Sequence, residues 1–397
     1  MIKIIAILDS VVGVGGGFDQ SLNAILQMQR LSSDRFILEV FTTHEKNLDF
    51  LKRLNISAQV IKVTLFDRFL TKYSTNSSWQ YFFERFKLIG PLEKNLIKHG
   101  CDAAYFLSPN DLSIALKKVN HISTLWDLCH RDHPEFPEVR NFNEAFIRER
   151  KYKYTLRSAI LILTDSAQLA DSASKYFGIE RKRFIAMPFG PSPFLGDTQL
   201  IKDLDILKKY NLNSQYFFYP AQFWAHKNHI RILQALLKLR DLYSWEPNIV
   251  FSGKDYGNLP HINNFIRDNK LESQVKVLGF VPSEDMRGLY ENAMAVVMPT
   301  YFGPTNLPPI EAWTLGVPVI YSKHLSEQAG NAALLVDPDC QLDVALAMLQ
   351  CNKLEIRNQL VRAGYRRIIY LDNLRKVAEN ELCASIKSYA ARRLCWD

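Results

Sequence analysis

Along the chain, short unbroken apolar runs rich in Ile, Val, Phe and Tyr alternate with longer stretches of helical hydrophobic spacing. An unbroken run is what a strand buried on both faces needs, and the amphipathic stretches between supply the covering helices, so the pattern predicts parallel α/β sheets. Strands are expected near residues 2–8, 36–43, 59–64, 103–107, 121–127, 159–166 and 183–189, with helices between them such as 18–33 and 168–177. The segment MPFGPSPFL, from Met187 to Leu195, then interrupts regular structure with prolines and a glycine, as a linker does. A second series follows near 216–222, 248–254, 275–280, 295–300 and 318–323, and Asp337-Pro338-Asp339 reads as a loop after one more strand. The expected architecture is two doubly wound domains, 1–190 and 191–371. A last helical pattern, 355–388, is expected to break near Asp372 and return to the first domain over 372–397.

Composition narrows the class. At 397 residues, 47% hydrophobic and 23% charged, the chain exceeds one core and has the balance of a soluble globular protein. The net charge of +8 is concentrated in the first 190 residues, where bases outnumber acids by six, against two in the rest. That excess suits an anionic partner for the first half: a phosphate-bearing ligand or a membrane surface. Nucleic acid ranks last, because no basic helix or aromatic platform of a known module is present. Cys101, Cys129, Cys340, Cys351, Cys383 and Cys395 lack C-x-x-C spacing, which points to reduced thiols in a cytoplasmic protein rather than a zinc or disulfide framework. No apolar run reaches the roughly 18–20 residues of a spanning helix. Asp9 cuts short MIKIIAILDS, which reads as a buried first strand and not a leader. Any membrane contact is expected to be peripheral, on the inner face.

Ligands of open α/β sheets sit beyond the carboxyl ends of the strands, so three loops carry the candidate chemistry. Gly13-Val14-Gly15-Gly16-Gly17 follows the first strand and opens a helix, where bare amides suit an anion. Its spacing is not that of a dinucleotide fingerprint, since position 18 is Phe, and no Walker Lys-Ser/Thr follows. A phosphate cradle and a purely structural turn stand level here. Lys227, in Tyr219-Pro220-Ala221-Gln222-Phe223-Trp224-Ala225-His226-Lys227-Asn228-His229, is a compact cation apt for a diphosphate or simply a solvated helix-start lysine. The loop from Thr300 to Trp313 holds Glu311 at a helix start, placed to accept two hydrogen bonds from ribose hydroxyls or to act only as a first-turn acid. Asp203-Leu204-Asp205 and Asp337-Pro338-Asp339 have the Asp-x-Asp spacing of metal-dependent transferases, but an amphipathic segment and a loop are the wrong settings, so no metal is expected.

Together these stretches resemble the retaining glycosyltransferases of the GT-B fold, family 4 (glycosyl transferases group 1). The most specific match is VKVLGFVPSEDMRGLYENAMAVVMPTYFGPTNLPPIEAWTLGVPVI with EQAGNAALLVDP; YPAQFWAHKNH and GVGGGFDQ agree with it. The resemblance implies two Rossmann-like domains facing each other across a cleft, a nucleotide-diphosphate-sugar donor as co-substrate, and no metal or other cofactor. By the same resemblance Lys227 neutralises the donor diphosphate and Glu311 is the second glutamate of E-x7-E, holding the ribose. Thr305, Asn306 and Leu307 offer backbone amides to phosphate and donor sugar, Phe280 and Val281 meet the base, and Gly16 and Gly17 close over the diphosphate. Three positions depart from the pattern. Gly303 stands where the first glutamate belongs, Gln222 where an arginine accompanies the lysine, and Trp126-Asp127 where relatives carry His-Asp. His130 is taken as the substitute near the reacting sugar beside Asp127, with His133 or a structural role as alternatives.

The implied reaction is transfer to a saccharide or lipid-linked saccharide with retention at the anomeric carbon, in cell-surface polysaccharide or lipopolysaccharide assembly. A catalytically weak nucleotide-sugar-binding protein, a GT-B-like sugar-nucleotide epimerase and a phosphorylase are the alternatives. Lys72, Arg85, Lys87, Lys94 and Lys98 interleave with Tyr73, Trp79, Tyr81, Phe82, Phe83 and Phe86. These residues are either a core helix with solvated bases or a face that lies on an anionic bilayer. Arg148, Arg150, Lys151 and Lys153 form a second basic patch of the same ambiguity.

Overall fold

A computed structural model of the chain describes residues 1–13, 15–32, 35–196, 204–213 and 215–396, and of 77, 80, 84, 196, 204 and 205 the backbone alone. Val14 of the glycine loop, Ser33 at the end of the first predicted helix, and Asp203 lie outside the described residues, as do the side chains of Leu204 and Asp205. The described residues form two compact units. The first comprises Met1–Arg131, Asn143–Phe189 and Leu374–Asp397; the second comprises Asp132–Phe142 and Gly190–Asn373.

The first unit is built on β1 (Lys3–Leu8), β2 (Ile37–Thr42), β3 (Ala58–Val60), β4 (Ala103–Phe106), β5 (Asn120–Leu125), β6 (Leu161–Thr164) and β7 (Phe184–Ala186). They pair in the order β3-β2-β1-β4-β5-β6-β7, every pair parallel. Both faces of the sheet are covered, which is why its strands read as continuous apolar runs. Ile5 and Ile7 pack with Phe41, Leu92, Leu96 and Phe106. Elsewhere Leu125, Ile162 and Phe184 pack with Tyr152, Leu156 and Leu169. The helix Ala167–Phe177 starts where the Ser166 hydroxyl accepts the Leu169 amide at 3.3 Å and stops at Gly178, whose φ of +63° suits a residue without Cβ.

The second unit holds β8 (Tyr216–Pro220), β9 (Asn248–Ser252), β10 (Val275–Val277), β11 (Ala293–Met298), β12 (Val319–Ser322) and β13 (Leu334–Val336). The order is β10-β9-β8-β11-β12-β13, again all parallel. Each sheet reverses its winding beside its first strand, between β1 and β4 in one and between β8 and β11 in the other, so the expectation of two doubly wound sheets holds. Several predicted strands run too far at their carboxyl ends. The stretch 275–280 contains β10 only to Val277, and 183–189 contains β7 only to Ala186. The loops there are themselves apolar, so hydropathy alone does not mark the stop. The predicted break near Asp372 is also corrected: Leu354–Arg393 is one helix, and its residues are shared between the two units. Asp372 costs little within a helix interior and cannot end one as Pro would.

Candidate functional site

The ends of β8, β9 and β10 are drawn together by glycines. A Cβ on Gly253 would lie 2.2 Å from the Ala221 carbonyl oxygen, so only glycine allows this approach. The Gly253 amide donates to Gly279 O at 2.8 Å, and the Phe223 amide donates to Lys254 O at 3.0 Å. Against this frame Trp224 stacks on Tyr256 with centroids 4.3 Å apart, and its indole N–H donates to Gln222 Oε1 at 3.0 Å. Gln222 is therefore engaged by a neighbour. Phe280 is 59% exposed and free to offer a flat apolar face, whereas Val281 is buried and packs inward.

Lys227 follows β8 in a short 3-10 turn, and Asn228, at φ +57°, leads into the helix His229–Tyr243. Its ammonium donates to Asn306 Oδ1 at 3.0 Å. Asn306 is buried and fully used. Its side-chain amide donates to Gly303 O at 2.8 Å and to the Tyr321 hydroxyl at 2.7 Å. Its backbone N–H donates to Gln328 Oε1 at 2.9 Å, and its carbonyl accepts from Gln328 Nε2 at 2.6 Å. Tyr321 closes the ring by donating to Gln328 Oε1 at 2.7 Å. This network joins the end of β8 to the loop after β11, across the point where the sheet reverses. Tyr321 carries no motif, and Gln328, although it lies in EQAGNAALLVDP, was not singled out as a site residue.

Asn306 caps the helix Leu307–Thr314, which has Pro308 and Pro309 in its first turn. Thr305, Asn306 and Leu307 were expected to present amides to a phosphate. The Asn306 N–H is taken by Gln328, the two prolines have none, and Leu307 begins the helix with an N–H that has no intrahelical acceptor. Gly303 has φ +103°, and a Cβ there would meet the Asn306 amide at 3.0–3.4 Å. Where the resemblance puts the first glutamate stands a glycine at which any side chain would be strained by φ and crowded by Asn306.

Glu311 lies in the second turn of the helix, not at its very start, and is buried. Its Oε2 accepts the Tyr290 hydroxyl at 2.6 Å. Burial, with Glu311 beside it, pushes the Tyr290 phenol well above its ordinary pKa, so it stays a donor to the carboxylate.

The second unit also holds Asp132–Phe142, a segment sequence reasoning assigned to the first domain. Glu138 accepts the His226 backbone N–H at 3.0 Å and pairs with the His226 ring nitrogen Nδ1. Burial raises the Glu138 pKa, but the hydrogen bonds from His226 outweigh it and hold it below the usual carboxylate range. His226 stacks on Phe302 at 3.8 Å, and His133 stacks on the same ring at 5.4 Å. His133 is thus placed beside the loop that leads to Asn306. The Asp337 and Asp339 carboxylates are bound by Lys323 and Tyr301. Among the described residues no group of three or more His, Cys, Asp or Glu side chains could hold a metal ion.

In the first unit Gly16 and Gly17 open the helix Gly16–Ser32 after Gly13 and Gly15, both at positive φ. A Cβ on Gly17 would lie 3.1 Å from the Trp126 ring, so the glycine gives the indole room. Asp127 pairs with Arg148 at 3.1 Å and accepts the Cys129 amide at 3.1 Å. For His130 the surroundings favour the structural alternative. Its side chain is only 1% exposed, with Nε2 3.1 Å from Glu149 Oε2 and the ring against Tyr152. Burial, only partly offset by Glu149, lowers its pKa, so it packs as a neutral ring away from solvent. Asp9, read from the sequence only as the stop of the first apolar run, follows β1 and accepts the Thr43 hydroxyl at 2.8 Å, with burial raising its pKa. Its place directly after a strand was the available signal.

Residues 214–353 match the family described as glycosyl transferases group 1. The O-antigen chain mannosyltransferase B of Escherichia coli is 28% identical over 249 residues, 62% of this chain, and the chain spans 62% of that relative's length. Two solved structures are similar over nearly all of both chains. A glycosyltransferase from Rickettsia africae has a TM-score of 0.71 at 12% identity, covering 98% of each chain. Anabaena Alr3699/HepE, solved in complex with UDP-glucose, has a TM-score of 0.66 at 18% identity, covering 100% of each. At such identities the likeness establishes the fold. The chain has the GT-B fold, and within its second unit residues 214–353 match the glycosyl transferases group 1 family model.

Proposed function

We propose that the protein is a glycosyltransferase that moves a sugar from a nucleotide-diphosphate-sugar donor to a saccharide or lipid-linked saccharide, with retention at the anomeric carbon. The observation that carries this reading is Lys227, held where the second sheet reverses its winding and 3.0 Å from Asn306, which precedes Glu311 by five positions. The donor is assigned to the second domain and the acceptor to the first. Lys227 and the Leu307 amide face the diphosphate, Glu311 takes the ribose hydroxyls, and Phe280 lies against the base. The bond from the anomeric carbon to the diphosphate breaks while the acceptor oxygen forms its own on the same face. The departing diphosphate then takes the acceptor's proton. Lys227 opposes the negative charge that builds on the leaving group, and the pre-bonded loop needs no rearrangement to do so. No metal is needed in this scheme, and neither His130 nor Asp127 has a part in it.

The likeness to an O-antigen chain mannosyltransferase supports a place in cell-surface polysaccharide or lipopolysaccharide assembly, which we assign to the cytoplasmic side of the membrane. One observation favours a second reading, a nucleotide-sugar-binding protein with little turnover: Gln222, in the arginine's place, is tied to the Trp224 indole. A thermal-shift screen of UDP-, GDP-, ADP- and dTDP-sugars, followed by product analysis with the stabilising donor, separates the two. Acceptor-dependent release of nucleotide with a glycosidic product of retained configuration supports the transferase. Stabilisation without product supports the binding protein, and release without acceptor overturns both.

A further inference from the structure

In the first unit the helix Leu65–Tyr73 and the helix Ser77–Arg85 form an aromatic cluster with only one member sealed inside. Phe83 is 1% exposed and packs with Leu70 and Ala115. Around it the rings continue outward in contact: Phe69 with Trp79 at 5.5 Å, Trp79 with Phe82 at 5.9 Å, and Phe82 with Phe86 at 4.7 Å. The outer members stay in water. Phe66, Trp79, Tyr81, Phe82 and Phe86 are 38–72% exposed, and Leu65 is 86% exposed. One buried anchor thus holds a shelf of exposed rings, which is more apolar surface in one place than an ordinary solvated face carries.

The charge around the shelf is mainly positive. Between positions 62 and 90 the sequence has five bases, Lys62, Arg68, Lys72, Arg85 and Lys87, against two acids, Asp67 and Glu84. All five bases are exposed. Asp67 is buried, accepting the Thr64 and Leu92 amides as a helix and loop cap, and so adds nothing to the surface. Exposed aromatic rings with bases beside them match the interface of an anionic bilayer, where rings enter the headgroup layer and Lys and Arg meet lipid phosphates.

We propose that this shelf, from Leu65 to Lys87, docks the protein on an anionic lipid bilayer. The inference deepens the lipid-linked acceptor reading and rests on it for its purpose, but the surface can be tested without any turnover. Purified full-length protein is floated with phosphatidylcholine vesicles, with and without phosphatidylglycerol, at low and high salt. Wild type is expected to float only with the anionic vesicles and to be released by salt. Lys72→Gln with Arg85→Gln is expected to weaken binding more than tenfold, at about fivefold per removed base. Tyr81→Ser with Phe86→Ser should weaken it at every salt concentration, and the unfolding midpoints of both variants report that the fold is kept. Equal flotation with neutral vesicles, or variants that bind as wild type does, would overturn the proposal. So would concentration-dependent self-association that the same variants abolish, because the shelf would then serve a second copy. Turnover on a water-soluble acceptor analogue, measured alongside, fails only if the transferase reading is wrong.

Discussion

Restoring the family's missing glutamate, Gly303→Glu, looks like a repair and is expected to do damage. Gly303 has φ +103°, which costs a residue with a Cβ about 1–3 kcal/mol. The new Cβ would also meet Asn306 Oδ1 at 3.0 Å and Nδ2 at 3.2 Å. Asn306 cannot yield cheaply, because the same amide holds Gly303 O, the Tyr321 hydroxyl and the Lys227 ammonium. Stranding one of these buried partners adds about 1–3 kcal/mol. The sum is about 2–6 kcal/mol, a fall on the order of 10 °C in the unfolding temperature of the second unit. Gly303→Ala carries the same backbone strain without the carboxylate, so the pair separates conformation from charge. The assay is thermal and denaturant unfolding, followed by donor turnover on the surviving folded fraction. A Gly303→Glu protein that unfolds at the wild-type temperature and turns over faster would refute the argument, since the loop could then not be built around Asn306.

Lys227→Ala should lower the turnover number about 10²–10³-fold with the fold kept and a modest drop in the unfolding midpoint, because Asn306 Oδ1 loses its donor, and full activity with the true substrates would remove it from the site. Glu311→Ala should abolish donor binding and also destabilise, by about 1–3 kcal/mol, because it strands the buried Tyr290 hydroxyl. Adding Tyr290→Phe is expected to return stability but not binding, and a double variant that binds donor would make Glu311 structural only. His229 is buried among Tyr219, Phe223 and Phe251, and burial pushes its pKa down to about 3. The unfolded chain takes up a proton near the ordinary value while the fold does not, so stability is full above that value and falls as pH drops below it. His229→Phe should flatten the decline between pH 6 and pH 4 by about 1.4 kcal/mol per pH unit, read from urea midpoints. An unchanged slope would contradict the buried neutral ring.

How much the sequence disclosed depended on how far apart the interacting residues lie. The strands were legible because a two-sided parallel sheet leaves unbroken apolar runs, such as Lys3–Leu8 and Ala293–Met298. Their ends were not, where apolar loops follow them. Lys227, Glu311 and Asn306 were legible through local motifs. Their partners Tyr290, Tyr321 and Gln328 were not, because a hydrogen bond to a buried hydroxyl or amide leaves no spacing to read. The surroundings of His130 were hidden for the same reason: Glu149 lies 19 positions away, on another helix. The segment Asp132–Phe142 was hardest. It begins directly after Arg131 of the first unit, and the contacts that show where it packs, Glu138 with His226 and His133 with Phe302, lie far along the chain.

The two prolines that open the helix Leu307–Thr314 also bear on how an anion is read there. A helix start ordinarily presents a fan of amides, and its hydrogen-bonding capacity and its dipole come together. Here the dipole remains while the fan is reduced: Pro308 and Pro309 supply no hydrogen, and Asn306 has spent its own on Gln328. On the proposed reading, direction and charge are divided between two donors of different kinds, the backbone amide of Leu307 and the ammonium at the end of the Lys227 side chain. Such a pair tolerates a shifting phosphate better than a rigid cradle does, because one partner can follow the oxygen as it departs while the other stays in place.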